Sequence, residues 1–105
     1  MGEGAKDALY NDTEPELANQ LLAANVQQSA ASFETPQTFA AADVGVSKTY
    51  VVAEEDHALP VDAQEGMIKA LNDVSVVRVP AGHCVHLNPK VLPKLVETIT
   101  AAAQA

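Results

Sequence analysis

Two six-residue runs, Lys48-Thr49-Tyr50-Val51-Val52-Ala53 and Val74-Ser75-Val76-Val77-Arg78-Val79, limit what this chain can become more than any other stretch. Both are rich in β-branched residues and of strand length. The first is nearly continuous in apolar character, as in strands buried on both faces of a covered sheet. Between them, Val61 to Leu71 places Ala63, Met67, Ala70 and Leu71 at helical offsets, and Asn72-Asp73 closes the segment. A connection of that length suffices for a parallel β-α-β unit, which is expected to be right-handed. A second amphipathic pattern follows in Val91/Leu92, Leu95/Val96, Ile99 and Ala103, predicting a helix over 89–103. Two strands do not complete a sheet, so unpaired edges are expected.

The upstream part is different in character. Residues 1–12 are Gly-rich and charged, with Tyr10 as the first bulky anchor. Thr13-Glu14-Pro15-Glu16 reads as a helix opening, with Thr13 as N-cap, an early Pro and Glu16 completing a capping box. Leu17, Leu21 and Ala24 then share a face, predicting a helix over 14–25. A second short helix is expected within Gln27 to Phe33, and the Gln/Ser/Ala/Thr-rich stretch to Ala42 reads as a surface connection. The expected division is therefore residues 1–45, a helical segment and connection, and residues 46–105, the β-α-β-α part.

Composition narrows the partners. Fourteen acidic against six basic residues give a net charge of −8, with no basic run. Nucleic acid and anionic membranes need clustered Lys or Arg, so neither is expected as a partner. Aromatic residues are 4% of the chain and Trp is absent, so the core should be thin for 105 residues. One cysteine excludes an internal disulfide, and the first residues lack the basic start and apolar run of a signal peptide. A cytoplasmic setting is the expectation.

In a parallel pair both strands end on the same edge, the one where open α/β sheets carry their sites. The loop after the first strand holds Glu54-Glu55-Asp56-His57, and the loop after the second holds Gly82-His83. An acid on one loop beside an imidazole on the next lets a carboxylate fix the tautomer and orientation of a catalytic base. Taken singly, each residue also reads as an ordinary solvated side chain. Asn88-Pro89 marks a helix start after the histidine loop.

The ordered set Tyr50 to Pro60, Gln64, Met67, Ala81-Gly82-His83 and Leu87-Asn88-Pro89 resembles the C-terminal part of α/β-hydrolase fold enzymes. It is most similar to the small serine-esterase branch that includes plant methyl esterases and hydroxynitrile lyases. Leu9-Tyr10-Asn11-Asp12 and Gln28 to Phe33 resemble the end of that family's helical cap. The resemblance implies an α/β fold, the C-terminal βαβα portion of a hydrolase sheet preceded by a helical cap remnant. It implies Asp56 as triad acid and His83 as triad base, with Tyr10 and Phe33 lining a substrate pocket. It also implies a small-molecule ester substrate and no cofactor.

One departure matters. The family's nucleophile elbow, Gly-x-Ser-x-Gly, does not occur in these 105 residues. The nearest string, Gly45-Val46-Ser47-Lys48-Thr49, lacks the second Gly and precedes its strand. Of the Ser-Asp-His set only the last two members are present, so the chain is expected to be inactive alone. The alternative is a non-catalytic, truncated or degenerate hydrolase acting through association, either with a second copy or with a complementing hydrolase half. A remoter alternative is metal binding by His83, Cys84, His86, His57 and Asp56, although His-Cys-x-His is not a zinc spacing.

Overall fold

The computed structural model describes residues 4–104. Three helices, α1 (Ala5–Tyr10), α2 (Pro15–Ala24) and α3 (Ala30–Glu34), come first, and a 3₁₀ turn at Ala41–Asp43 leads into the sheet. Strand β1 (Lys48–Ala53), helix α4 (Val61–Lys69), strand β2 (Val74–Val79) and helix α5 (Leu92–Gln104) complete the chain, with a second 3₁₀ turn at Val85–Leu87.

The strands pair in parallel, Lys48 opposite Val74 through Ala53 opposite Val79. The result is a mixed α/β domain with a two-stranded parallel sheet. Alternation along the strands divides the side chains between two helix-covered faces. Val51, Val77 and Val79 share a face and pack with Ala81, Val85 and Val91 at the approach to α5. On the opposite face Arg78 reaches α4, where its Nη2 pairs with Glu65 Oε1 at 2.6 Å. The β-branched runs thus form strands whose burial is concentrated at their C-terminal ends, at Val52, Ala53 and Val79.

The crossover helix turns a different face inward than its apolar offsets predict. Ala63, Met67 and Ala70 are exposed, whereas Gln64 is buried and Val61, Ile68 and Leu71 are half-buried on the inner side. A polar residue anchors that face because its amide bonds backbone groups. Gln64 Oε1 accepts from Ala53 N–H at 3.0 Å, and its Nε2 donates to Ala53 O and Leu59 O at 3.0 and 2.9 Å. Gln64 is 2% exposed, so Ala53 N–H and Leu59 O depend on this one amide away from water, and Ala53 O shares it with the Asp56 N–H at 3.3 Å.

One cap also differs from expectation. The N-cap of α2 is Glu14, whose carboxylate accepts from Glu16 N–H and Leu17 N–H at 3.1 and 2.9 Å. The Leu17 and Glu16 N–H groups hold its carboxyl below the usual range. Thr13 is instead buried, and its Oγ1 has no partner. At the other end Asn88 does cap: its Oδ1 accepts from Lys90 N–H at 3.0 Å and its carbonyl accepts from Leu92 N–H at 2.9 Å. Regular helix then begins at Leu92, about one turn after Pro89.

Helix α1 answers to no pattern in residues 1–12. Its N-cap is Gly4, whose φ of 84° a residue with a side chain rarely adopts. The stripe of α5 is only half used, with Val91 buried and Leu95 half-buried while Leu92, Val96 and Ile99 stay exposed. No described helix is long and apolar enough to cross a membrane.

Candidate active site

Both strands end in loops at one edge of the sheet, and the last residues of β1 and β2 are the most buried of each. Beyond them the backbone continues to pair: Glu54 N–H donates to Val79 O and Glu55 N–H to Ala81 O, each at 3.0 Å. The acid loop and the histidine loop are therefore held side by side by main-chain bonds before any side chain contributes.

Asp56 and His83 meet across that edge. His83 Nδ1 lies 3.0 Å from Asp56 Oδ2 and 3.2 Å from Oδ1. An ionised carboxylate can only accept, so Nδ1 carries the hydrogen, and in the neutral form of the ring Nε2 is the atom with the lone pair. The Asp56 side chain is 5% exposed and that of His83 39%. The acid is enclosed and the imidazole has an open side.

The Asp56 carboxylate is anchored from below as well. Its Oδ1 accepts from Ala58 N–H at 2.8 Å and Leu59 N–H at 2.9 Å, an Asx-type turn closing the acid loop. Burial pushes its pKa up, but the Leu59 N–H, the His83 hydrogen bond, the Ala58 N–H and the charge of His83 together outweigh it. The net direction is down, so Asp56 is ionised at neutral pH. Its charge and, first, burial raise the Tyr50 phenol above its ordinary range.

Other candidate residues lie elsewhere. His57 turns away to Asp7 on α1, Nδ1 to Oδ2 at 2.9 Å. Burial pushes the Cys84 thiol up, and the carboxylates of Asp12 and Asp56 push the same way, which opposes formation of a thiolate nucleophile. Among the described residues no group of three or more His, Cys, Asp or Glu side chains could hold a metal ion. Ser47 lies just before β1, at the far end of a six-residue strand from Asp56. That is roughly 20 Å along the strand, out of reach of His83. Tyr10 is half-buried at the end of α1 and lines a shallow cavity with Lys6, Asp7 and Asn11. Phe33 is 73% exposed on α3.

Three residues at the site were quoted in the sequence only for the resemblance they carry, with no role assigned to them. Asp12 Oδ2 accepts from Gly82 N–H and from Asn88 Nδ2, both at 2.8 Å. Asn11 Nδ2 donates to Glu55 O at 2.7 Å. Gln64 supports the end of β1 as described above. Asn11 and Asp12 follow directly on Tyr10, and Gln64 is the fourth residue of α4, after Val61-Asp62-Ala63. The contacts of Asn11 and Asp12 reach 44 to 76 residues along the chain and leave no local spacing to read.

The class defined by fold and site is an α/β domain with a parallel strand pair whose adjoining loops present an acid–imidazole pair. A comparison with known proteins agrees with that class. Over 100 residues, 93% of this chain, the sequence is 31% identical to the alpha/beta hydrolase nvfD of Aspergillus novofumigatus (strain IBT 16806). The match takes in 40% of that protein, so the chain spans about two fifths of the length of its relative. This similarity supports a relationship to the α/β hydrolases. No protein-family model matches the chain. No solved structure matches it either.

Proposed function

We propose that this chain carries the acid–base half of an esterase-like hydrolase site, with Asp56 as triad acid and His83 as triad base. The observation that carries the reading is the Asp56–His83 hydrogen bond, made by a carboxylate already fixed by two backbone N–H groups. In this reading residues 46–105 are the C-terminal βαβα portion of the hydrolase sheet, and residues 1–45 are a cap remnant. Tyr10 and Phe33 lie on that cap segment and would line the pocket for a small-molecule carboxylic ester. A cytoplasmic setting accompanies the reading, resting on the acidic composition and the single cysteine.

The chemistry follows from the ring's orientation. Nε2 would take the proton of a serine hydroxyl as that oxygen attacks the ester carbonyl, and Asp56 would stabilise the resulting imidazolium. Nε2 would then return the proton to the leaving alkoxide. The serine would come from a Gly-x-Ser-x-Gly segment outside these 105 residues, in a longer gene product or a complementing hydrolase half. With no nucleophile to deprotonate, the pair by itself turns nothing over.

A second reading, a non-catalytic chain acting through association, draws on the apolar side chains left uncovered on α5, Leu92, Val96 and Ile99. One experiment addresses both. The purified chain is assayed on small aryl and methyl esters, alone and co-expressed with the other three fifths of the Aspergillus relative. The chain alone is expected to give no turnover. The assembled pair is expected to hydrolyse ester, with Asp56→Asn reducing kcat about 10⁴-fold. Turnover by the chain alone that disappears in His83→Ala would overturn the missing-nucleophile reading. Assembled activity indifferent to His83→Ala would overturn the catalytic one. Tight assembly without turnover would favour the association reading.

A further inference from the structure

We propose that Asp12, together with Asn11, is the positioning element of the acid–base pair, holding both site loops from the turn between α1 and α2. The proposal rests on the reading of Asp56 and His83 as an acid–base pair. It concerns two residues that neither touch the imidazole nor follow from the triad itself.

The geometry converges on the residues beside the pair. Gly82, whose N–H donates to Asp12 Oδ2, immediately precedes His83. Asn88, whose Nδ2 donates to the same oxygen, ends the histidine loop and caps the following helix. One carboxylate oxygen therefore ties together the two ends of the 82–88 segment. Glu55, whose carbonyl accepts from Asn11 Nδ2, immediately precedes Asp56. Two consecutive side chains thus hold the residue before the acid and the residue before the base.

The contact is also close. A Cβ on Gly82 would collide with Asn11 Oδ1 and lie 2.6 Å from Asp12 Oδ1, so the two side chains occupy the space that any other residue at 82 would need. The loop backbone is clamped between them and the core, where Ala81 is fully buried. A shift of Gly82 would rotate the His83 ring away from Asp56, because His83 has no other anchoring hydrogen bond among the described residues. His83 Nδ1–H is then free to exchange tautomers.

The test reads the His83 ring by ¹⁵N–¹H NMR of the 105-residue chain at neutral pH. In the wild type a single Nδ1–H tautomer with a slowly exchanging, hydrogen-bonded Nδ1 proton is expected, and Asp56→Asn abolishes it. Asp12→Ala is expected to lose the Nδ1 proton signal and mix the two tautomers, while the Gln64 side-chain amide signals stay unchanged. Asp12→Asn is expected to restore the wild-type spectrum, because both bonds to Asp12 go to one oxygen that an amide can supply. Should Asp12→Ala fail to fold, Asn88→Asp decides. It keeps the acceptor for Lys90 N–H, replaces the donor to Asp12 with a carboxylate, and is expected to give the same loss.

The outcomes separate. A wild-type ring already mixed and insensitive to Asp56→Asn overturns the acid–base pair itself, and the positioning role with it. A wild-type pair that survives in folded Asp12→Ala or Asn88→Asp overturns the positioning role alone. Loss of the Gln64 signals in step with His83 reduces Asp12 to general structural support and overturns its specific role.

Discussion

Residues 23–47 and the loops that end the two strands are built on opposite principles. Every residue from 23 to 47 is exposed, Val26, Phe33, Phe39 and Val46 among them. The side-chain hydrogen bonds of that stretch reach at most four residues along the chain: Gln28 to Ser32, Ser32 to Ser29, Ala40 to Asp43 and Lys48 to Val44. At the strand ends the bonds span 27 residues between Asp56 and His83, 70 between Asp12 and Gly82, and 76 between Asp12 and Asn88. Local bonds specify a turn and leave its neighbours open, whereas long-range bonds place one loop against another. Residues that must meet within hydrogen-bond distance are found where the second kind prevails, and apolar side chains awaiting cover are found with the first.

The contrast can be broken most forcefully at Gln64. Gln64→Ala leaves Ala53 N–H and Leu59 O without partners, each worth about 1–3 kcal/mol when buried, while Ala53 O keeps the Asp56 N–H at 3.3 Å. A total loss of about 2 kcal/mol or more is expected, read as a lower denaturation midpoint in urea. A loss under 1 kcal/mol would mean that the strand end is held by something other than this amide. Gly82→Ala should come next, at about 1–3 kcal/mol, since the added methyl group has no room beside Asn11 and Asp12. Its counterpart is Gly66→Ala on α4, where a methyl group meets nothing within 4 Å. That change should stabilise the chain by about 0.5–1 kcal/mol through helix propensity.

Acid should weaken the site loops selectively. Asp56 has a folded-state pKa below its unfolded value of 3.8, so its contribution is complete above that value. The contribution declines as pH falls below 3.8 and is gone once pH passes below the lowered folded value. Asp56→Asn should flatten this part of the stability curve in pH-dependent urea unfolding, and an unchanged curve would remove Asp56 from the account. The smallest effect belongs to the exposed stretch. Phe33→Ser should change stability by no more than about 0.5 kcal/mol, and limited proteolysis should cut first within residues 25–47. A loss of several kcal/mol at Phe33 would show that the stretch is packed after all.

The sequence was legible where neighbours along the chain set the conformation. Both strands lie where β-branching places them, because a branched side chain settles on a pleated surface whichever partner covers it. The pairing of Asp56 with His83 was legible too, because a parallel crossover sends both strand ends to one edge. The expected inner face of α4 counted apolar offsets, and Ala63, Met67 and Ala70 are exposed instead because a bidentate amide outranks small apolar groups at a strand end. Thr13 looked like the better cap, yet Glu14 reaches the same N–H groups and leaves Thr13 to be buried. Asn11 and Asp12 belong to the cap resemblance, but their contacts carried no signal, since a partner 44 to 76 residues away imposes no spacing on its neighbours.

The Gln64 amide has a consequence for how far this sheet can grow. Glu54 N–H goes to Val79 O, so alternation turns both polar groups of Ala53 to the side of β1 away from β2. There the glutamine side chain presents one donor and one acceptor, as a peptide unit of a neighbouring strand would. It works as a stopper on the ladder. A strand added along that margin could pair up to Val51 and would have to veer off before Ala53. The rim beside Asp56 is thereby kept free of backbone, and the chain also gains a built-in defence against fibril-like stacking at its most buried end.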